Sequence, residues 1–283
     1  MPPADYMTKH WGITQGCSPV GEGCRNCWAA TWAKRHAANP TQPHWNADDP
    51  MKVVCREDLL DRPRRWKKAQ MIGVSFLGDL FHEDVPQEFI NRVFEVMAWT
   101  PHHRYLVLTK RAHRIVDCVT SFEQIHHPAL GREMASVDLR NVWFGASAWD
   151  QTSFDAAADA MLPLVDLGLN TWISLEPLLG PINTWNGAAE HWTPSGEPVD
   201  CDVRSEIGDV FKWVVVGGES GKNARPMHPQ WVRDIRDQCA AAGVPFYFKQ
   251  GSSFGGNDKH DRTLDGQTHL QLPPSIGDVM NRK

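Results

Sequence analysis

Six short apolar runs of strand length recur along the chain, and each is followed by a polar residue and a stretch with helical periodicity. The runs are Met71–Leu77, Tyr105–Leu108, Val142–Ala146, Trp172–Leu175, Trp213–Val216 and Val244–Phe248. They are unbroken rather than alternating, which is typical of strands buried on both faces of a parallel sheet. Regular alternation of strand and helix builds right-handed βαβ units. The sequence therefore predicts an α/β fold, either a (β/α) barrel or an open parallel sheet.

Helical patterns occupy the segments between these runs. They are Cys27–Ala38, Pro86–Trp99, Ser153–Leu167 and Pro229–Ala242. Proline at the first turn and glycine just after the last turn are ordinary helix boundaries, as at Gly168 and Gly243. We interpret residues 39–50 and 186–210 as excursions from one domain over 1–250, followed by a small C-terminal extension over 251–283.

Composition excludes several classes of protein. Hydrophobic residues make up 41% and charged residues 22% of the 283 residues, which excludes wholesale disorder. The formal net charge of −5 argues against a histone-like basic binder but allows a local basic groove. The chain has neither a long apolar stretch nor an apolar signal core at its start, so we expect a cytoplasmic protein with no membrane partner. Thiols stay reduced there, which makes clustered cysteines candidate metal ligands.

The most specific motif is a cysteine loop with the spacing Cys17-x6-Cys24-x2-Cys27, which runs directly into the first helical pattern. Thiolates suit iron–sulfur clusters or zinc. A structural zinc ion requires four protein ligands, and the fourth would come from His10, His36 or a distant cysteine. An iron–sulfur cluster held by three cysteines leaves one iron open to a small molecule. Both interpretations are favoured over three unconnected buried cysteines.

Polar residues follow the predicted strands at the end where parallel barrels carry their active sites. They are Asp79, Thr109, Lys110, Ser147, Glu176, Glu219 and Lys249. Glu176 precedes a proline that ends its strand, so its carboxylate is a candidate for acid/base or substrate-anchoring work. We nominate Asp79, Glu176 and Lys110 as catalytic candidates; the alternative is that these residues only carry the chain out of the core.

Two further segments could bind anions. Gly217, Gly218 and Glu219 form part of a glycine-rich turn followed by Gly221, Lys222 and Arg225, a pattern that allows a backbone anion nest for a phosphate or carboxylate group. A plain tight turn is the alternative. The basic run Arg62–Lys68 contains Trp66 and is compatible with nucleic acid, although a solvated surface is the usual explanation for such a run.

Seven segments of the chain resemble successive signatures of a phage-associated three-cysteine-motif family of largely unknown function. They are GCSPVGEGCRNCWA, GDLFHEDVP, LTKRAHR, NVWFGAS, ISLEPLLGP, VVVGGESGKNARPMHPQWVRDIRDQC and VPFYFKQ. The match extends from about Trp11 to Gln250. That family in turn resembles radical S-adenosylmethionine (SAM) enzymes. This resemblance implies a barrel or partial barrel of about six to eight mostly parallel strands. It also makes a carboxylate of SAM a candidate ligand of the glycine-rich turn.

The radical SAM resemblance also implies cofactors and roles. Cys17, Cys24 and Cys27 would ligate a [4Fe–4S] cluster whose fourth iron binds SAM, and an electron donor would reduce the cluster to yield a 5′-deoxyadenosyl radical. Asp79 would meet the SAM amino group, and Ser147 its ribose or carboxylate. The cysteine spacing of six and then two residues differs from the usual three and then two, and Asn26 stands where an aromatic residue is usual.

We expect the substrate to be a nucleic-acid base or nucleotide that is modified or repaired. The reasons are the phage association and two basic residues at the expected mouth of the barrel, Lys110 and Arg111. Two alternatives remain open at the level of sequence. One is a non-catalytic iron–sulfur or zinc protein that binds nucleic acid, and the other is a redox enzyme that contains a cluster but does not use SAM.

Overall fold

A single parallel sheet of seven strands organises the protein. The computed structural model describes residues 5–37, 39, 48–126, 138–186, 204–220, 223–252 and 261–280. The strands are β1 (Lys9–Trp11), β2 (Met71–Val74), β3 (Arg104–Thr109), β4 (Val142–Ala148), β5 (Asn170–Leu175), β6 (Val214–Gly217) and β7 (Phe246–Gln250). Their order in space follows their order in the chain, and every neighbouring pair is parallel. The predicted fold class and all six predicted strands are confirmed.

Within the described residues, six α-helices connect or follow these strands. They are α1 (Trp28–Ala37), α2 (Gln87–Ala98), α3 (Ile115–His126), α4 (Gln151–Asp166), α5 (Pro229–Ala241) and α6 (Pro274–Met280). The four predicted helices are present with nearly the predicted bounds, whereas α3 and α6 were not predicted. Apolar side chains of α2, α3, α4 and α5 form one large core with the outer face of the sheet. Because these helices cover the outer face of the sheet, its inner face can enclose an interior.

Large aromatic side chains fill the amino-terminal half of that interior. Trp143, Trp172, Trp213 and Tyr247 belong to one buried cluster there, and the rings of Trp172 and Trp213 stack with centroids 5.2 Å apart. Gly145 makes room for this packing, because a Cβ at that position would lie 2.3 Å from the Trp172 indole. The packed aromatics confine open space to the carboxyl ends of the strands.

The sheet curls so that its two end strands approach the same interior. Tyr6, just before β1, packs edge-on against Trp213 at 5.2 Å and against Tyr247 of β7 at 5.1 Å. Ile276 of α6 joins the same cluster, so the described part of the C-terminal extension closes the amino-terminal end of the barrel. Most of the two predicted excursions lies outside the described residues. None of the described helices has the length and apolar character needed to span a membrane.

Three short antiparallel pairs lie outside the main sheet. Thr14–Gln15 pairs with Val54–Cys55, Trp185–Asn186 with Arg204–Ser205, and Thr263–Leu264 with Gln267–Thr268. The first pair matters for function, because it fixes the chain immediately before Cys17.

Candidate active site

A cavity of about 200 Å³ opens at the carboxyl ends of the strands. It is lined by most of the predicted site residues, namely Cys17, Cys24, Cys27, Asp79, Lys110, Ser147, Glu176, Gly218 and Glu219. The cysteine loop and the strand ends, which are far apart in the sequence, therefore share one cavity. Two groups of hydrogen-bonded side chains line it. We call Cys17, Asp79 and Arg111 the cysteine side, and Lys110, Ser147, Glu176 and Lys249 the lysine side.

The cysteine loop is held at both of its ends. The backbone N–H of Cys17 donates to the Met51 carbonyl at 3.0 Å, and a single 3₁₀ turn over Glu22–Cys24 leads to Cys27, one residue before α1 begins. Gly23 packs against the Trp149 indole, since a Cβ there would lie 2.5 Å from the ring. The glycines of the motif thus allow the loop to pack closely against the segment that follows β4.

All three cysteines of the motif are free thiols that are neither fully buried nor fully exposed. Burial and the nearby Asp79 carboxylate raise the pKa of Cys17 to about 11, although the Arg111 guanidinium opposes the shift. Among the described residues, no three histidine, cysteine, aspartate or glutamate side chains are arranged to hold a single metal ion. The two histidines considered as a fourth zinc ligand lie elsewhere: His36 contacts Trp32 at the end of α1, and His10 lines a separate cavity.

Arg111 is the central group of the cysteine side and is only 2% exposed. Its Nη1 donates to Cys17 Sγ at 3.4 Å and to Asp79 Oδ2 at 3.3 Å. Its Nη2 donates to the carbonyl and hydroxyl oxygens of Ser18 at 3.1 and 2.8 Å, and its Nε donates to the Glu83 carboxylate. One guanidinium therefore ties the cysteine loop to the ends of β2 and β3.

The Asp79 carboxylate is 4% exposed and already accepts several hydrogen bonds. Its donors are the Thr109 hydroxyl at 2.8 Å, the Phe81 backbone N–H at 2.9 Å and Arg111. Burial raises the pKa of Asp79, and these three donors oppose that shift. A ligand amino group that contacts Asp79, as the resemblance implies, has to share oxygens that are already bonded.

The lysine side is looser and more open to the cavity. Lys249 Nζ lies 3.0 Å from Glu176 Oε1, and the Ser174 hydroxyl donates to Oε2 at 2.9 Å. Lys110 Nζ donates to the Ser147 hydroxyl at 3.0 Å, and no carboxylate pairs with Lys110 among the described residues. Two cations and one carboxylate at this position suit an anionic group of a ligand.

The glycine-rich turn after β6 serves packing within the protein. A Cβ at Gly217 would lie 2.3 Å from Glu176 Oε1, so glycine there makes room for that carboxylate. The predicted anion nest includes Gly221 and Lys222, which lie outside the described residues. Of the turn's described residues, Gly218, Glu219 and Ser220 line the cavity.

Glu219 joins this turn to the cysteine loop. Arg225 Nη2 donates to Glu219 at 2.6 Å and to the Glu22 carbonyl at 2.9 Å, while Asn26 Nδ2 donates to Glu219 at 2.9 Å. Burial favours a higher pKa for Glu219, but the Arg225 and Asn26 hydrogen bonds outweigh it and lower the pKa. Arg225, predicted to bind a cofactor, thus lies behind Glu219 and holds the loop.

Sequence reasoning missed Ser174 and underrated Asn26 and Arg111. Ser174 sits inside an apolar run, so its inward direction follows only from its place in β5. Asn26 was noted as a departure from the radical SAM pattern, and its contact with Glu219 gives it a part of its own. Arg111 lines the cavity beside Lys110, as the basic mouth predicts, but the contacts of its guanidinium with Cys17 and Asp79 were not foreseen.

The sequence profile of a family described as "Protein of unknown function (DUF5131)" matches residues 3–273. No curated protein matches the sequence. Among solved structures, spore photoproduct lyase complexed with dinucleoside spore photoproduct matches with 12% identity and a TM-score of 0.41, over 59% of this chain and 45% of that one.

Two mutant structures of spore photoproduct lyase are also similar. One has 9% identity and a TM-score of 0.49, over 86% of this chain and 76% of that one. The other, with bound AdoMet and dinucleoside spore photoproduct, has 11% identity and a TM-score of 0.44, over 100% of this chain and 61% of that one. This chain therefore spans less than half the length of the first of these structures.

Proposed function

This chain belongs to DUF5131, a family of proteins of unknown function, and we propose that it is a radical-SAM-type iron–sulfur enzyme that acts on a nucleic-acid base or nucleotide. The observation that carries the proposal is the shared cavity: Cys17, Cys24 and Cys27 line the same space as the polar residues at the strand ends. The association of the family with phages remains a prediction from the motifs.

The cysteine loop suits an iron–sulfur cluster in its donor chemistry. Three thiols are the soft ligands that such clusters prefer. A cluster of four irons has several corners, so its ligands surround it instead of meeting at one point. Cys17, Cys24 and Cys27 would hold it, and Arg111 would donate a hydrogen bond to one ligand sulfur, at Cys17. When bound, the cluster and SAM supply a carbon radical able to remove a hydrogen atom from a substrate.

The remaining roles belong to this chain's own side chains. Asp79 and Arg111 fix the position of the cysteine loop. Lys110 and Ser147 would hold an anionic or hydroxyl group of the ligand, and Glu176 with Lys249 would orient the substrate or hold a proton beside it. The aromatic packing below the cavity excludes water from the floor, which strengthens these electrostatic contacts.

The test is anaerobic purification followed by iron, sulfide and zinc analysis of the wild type and of Cys24→Ala. We expect a brown protein with about four irons per chain, as a [4Fe–4S] cluster requires, and loss of that colour in the variant. Cys55→Ala is the matched control, because Cys55 is a free thiol outside the motif; it should keep the iron. Zinc in place of iron would overturn the proposal.

A second step separates this proposal from the alternative of a cluster enzyme without SAM. The existing hydrogen bonds of Asp79 are the observation that favours this alternative. If the reduced protein binds iron and cleaves SAM, the radical SAM function stands. If it binds iron but neither binds nor cleaves SAM, the alternative is correct.

A further inference from the structure

A second cavity of about 350 Å³ lies beside β1, outside the site described so far. Its lining includes His10, Gln15, Arg56 and Arg62. Leu77 lines both this cavity and the central one, so the two spaces adjoin. Leu77 is therefore the side chain shared by the central cavity and the cavity that Arg56 and Arg62 line.

The wall of this second cavity holds polar groups that the protein leaves unsatisfied. Gln15 is 8% exposed, and within the described part of the chain neither its Oε1 nor His10 Nε2 has a hydrogen-bond partner. Buried polar atoms are nearly always paired in folded proteins. Burial and the positive charge of Arg62 lower the pKa of His10, so its ring is neutral at physiological pH. The wall is therefore polar but not acidic.

Unpaired cations continue from this cavity along the neighbouring surface. Lys9, Arg62, Arg65, Lys67 and Lys68 are exposed. None of these five forms an ion pair with a described residue, whereas Arg56 is paired with Asp58 and Arg64 with Asp61. We call these five residues the β1 basic surface. Five cations without carboxylate partners stand out in a chain whose formal net charge is −5.

The aromatic residue of this run has a defined surrounding. The Lys9 ammonium lies 6.0 Å and the Arg62 guanidinium 5.8 Å from the centre of the Trp66 ring, which is partly buried against the core. These cations cover the ring that could otherwise stack on a base. The surface is thus suited to phosphates, with Trp66 fixing the positions of two of its cations.

We propose that the β1 basic surface binds the phosphodiester backbone of a single-stranded nucleic acid, one base of which enters the central cavity. The inference rests on the proposed function and adds that the substrate is a polymer. A base has to leave its stack to enter a cavity at the strand ends, and the cost of unstacking is least in a single strand. The adjoining second cavity provides the path between the central cavity and the cations.

The experiment measures binding of a short fluorescein-labelled oligothymidylate to the full chain by anisotropy, over a range of salt concentrations. The variant is the triple substitution Arg62→Gln, Arg65→Gln and Lys67→Gln. Since each phosphate contact on a single strand contributes about 0.7 to the slope of log affinity against log salt, the slope should fall by about 2. Affinity near physiological salt should fall roughly tenfold or more.

Two control proteins isolate the effect. Arg140→Gln, Lys212→Gln and Arg233→Gln together remove the same charge from other surfaces and should bind like the wild type. Arg62→Lys, Arg65→Lys and Lys67→Arg keep the charge and should retain the salt slope. Unchanged binding in the glutamine variant, or equal competition by thymidine monophosphate and unlabelled oligothymidylate, would overturn the inference.

Iron content and SAM binding of the same preparations distinguish this inference from the proposed function. If the wild type contains no cluster, the proposed function fails. If the cluster and SAM binding are normal in every protein while the glutamine variant binds oligothymidylate as the wild type does, only the nucleic-acid surface is wrong.

Discussion

On the cysteine side of the cavity, nearly every polar group is hydrogen-bonded to another polar group of the protein. On the lysine side, the polar groups form fewer hydrogen bonds and are partly exposed. The side chains of Arg111 and Asp79 are 2% and 5% exposed, against 25% and 16% for Lys249 and Glu176. Arg111 contacts two loops and the sulfur of Cys17, while Lys110 contacts one hydroxyl. The difference suggests a fixed side that holds a cofactor and an adaptable side that receives substrate.

The largest expected effect follows from removing the buried guanidinium by Arg111→Met. Asp79 would keep its burial but lose its charged partner, and breaking a buried ion pair in this way costs about 3–5 kcal/mol in the free energy of unfolding. Chemical denaturation of anaerobically prepared protein measures it.

The control for that experiment is the neighbouring substitution Lys110→Met. Among the described residues Lys110 bonds only to the Ser147 hydroxyl, so the free energy of unfolding should change by less than about 1 kcal/mol. Equal losses in the two variants would remove the distinction between the two sides of the cavity.

A smaller effect is expected from Glu176→Gln on the lysine side. Lys249 would lose its carboxylate partner but could still be hydrated, because a quarter of its side chain is exposed. We expect a loss of about 1–2 kcal/mol in the free energy of unfolding, typical of a polar group left without its partner. Glu88→Gln, on the exposed face of α2, is the matched control and should stay within about 0.5 kcal/mol of the wild type. If Glu176→Gln lowered the free energy of unfolding as much as Arg111→Met does, both sides of the cavity would be equally fixed.

The smallest effect is a pH dependence of the contact between the cysteine loop and the turn after β6. The pKa of Glu219 is lowered in the folded protein, so its contribution is present above its unfolded pKa of about 4.3 and is lost as the pH falls through the folded pKa. The free energy of unfolding of the wild type should exceed that of Glu219→Gln by about 1 kcal/mol at pH 7, as for one net hydrogen bond, and the difference should vanish under acid conditions. A difference that is independent of pH would contradict this assignment.

The sheet could be predicted from the sequence because parallel strands that are buried on both faces consist of unbroken apolar runs. Two elements that the sequence did not predict, β1 and α3, escaped prediction for physical reasons. β1 is a three-residue strand at the end of the sheet, and its Lys9 and His10 are polar. The α3 segment contains several β-branched residues, and it becomes helical because its apolar face packs in the outer core.

The members of the site were predictable, but their contacts were not. A polar residue after a strand is a sound indication of position, and it placed Asp79, Lys110, Ser147 and Glu176 around one cavity. Whether such a side chain faces the cavity or the protein depends on partners from other loops. The Arg111 guanidinium, which lines the cavity, is bonded to Asp79, Glu83 and Ser18, and that of Arg225 is bonded to Glu219.

The central claim is that three thiolates hold a cluster that leaves one iron open to SAM. Electron paramagnetic resonance of the reduced protein, recorded with and without SAM, tests it most directly, because a ligand on the open iron changes the spectrum of the whole cluster. We predict a [4Fe–4S]⁺ signal that shifts on addition of SAM and that is absent from Cys24→Ala. A signal that SAM leaves unchanged, or a protein that contains zinc and gives no signal, would contradict the account.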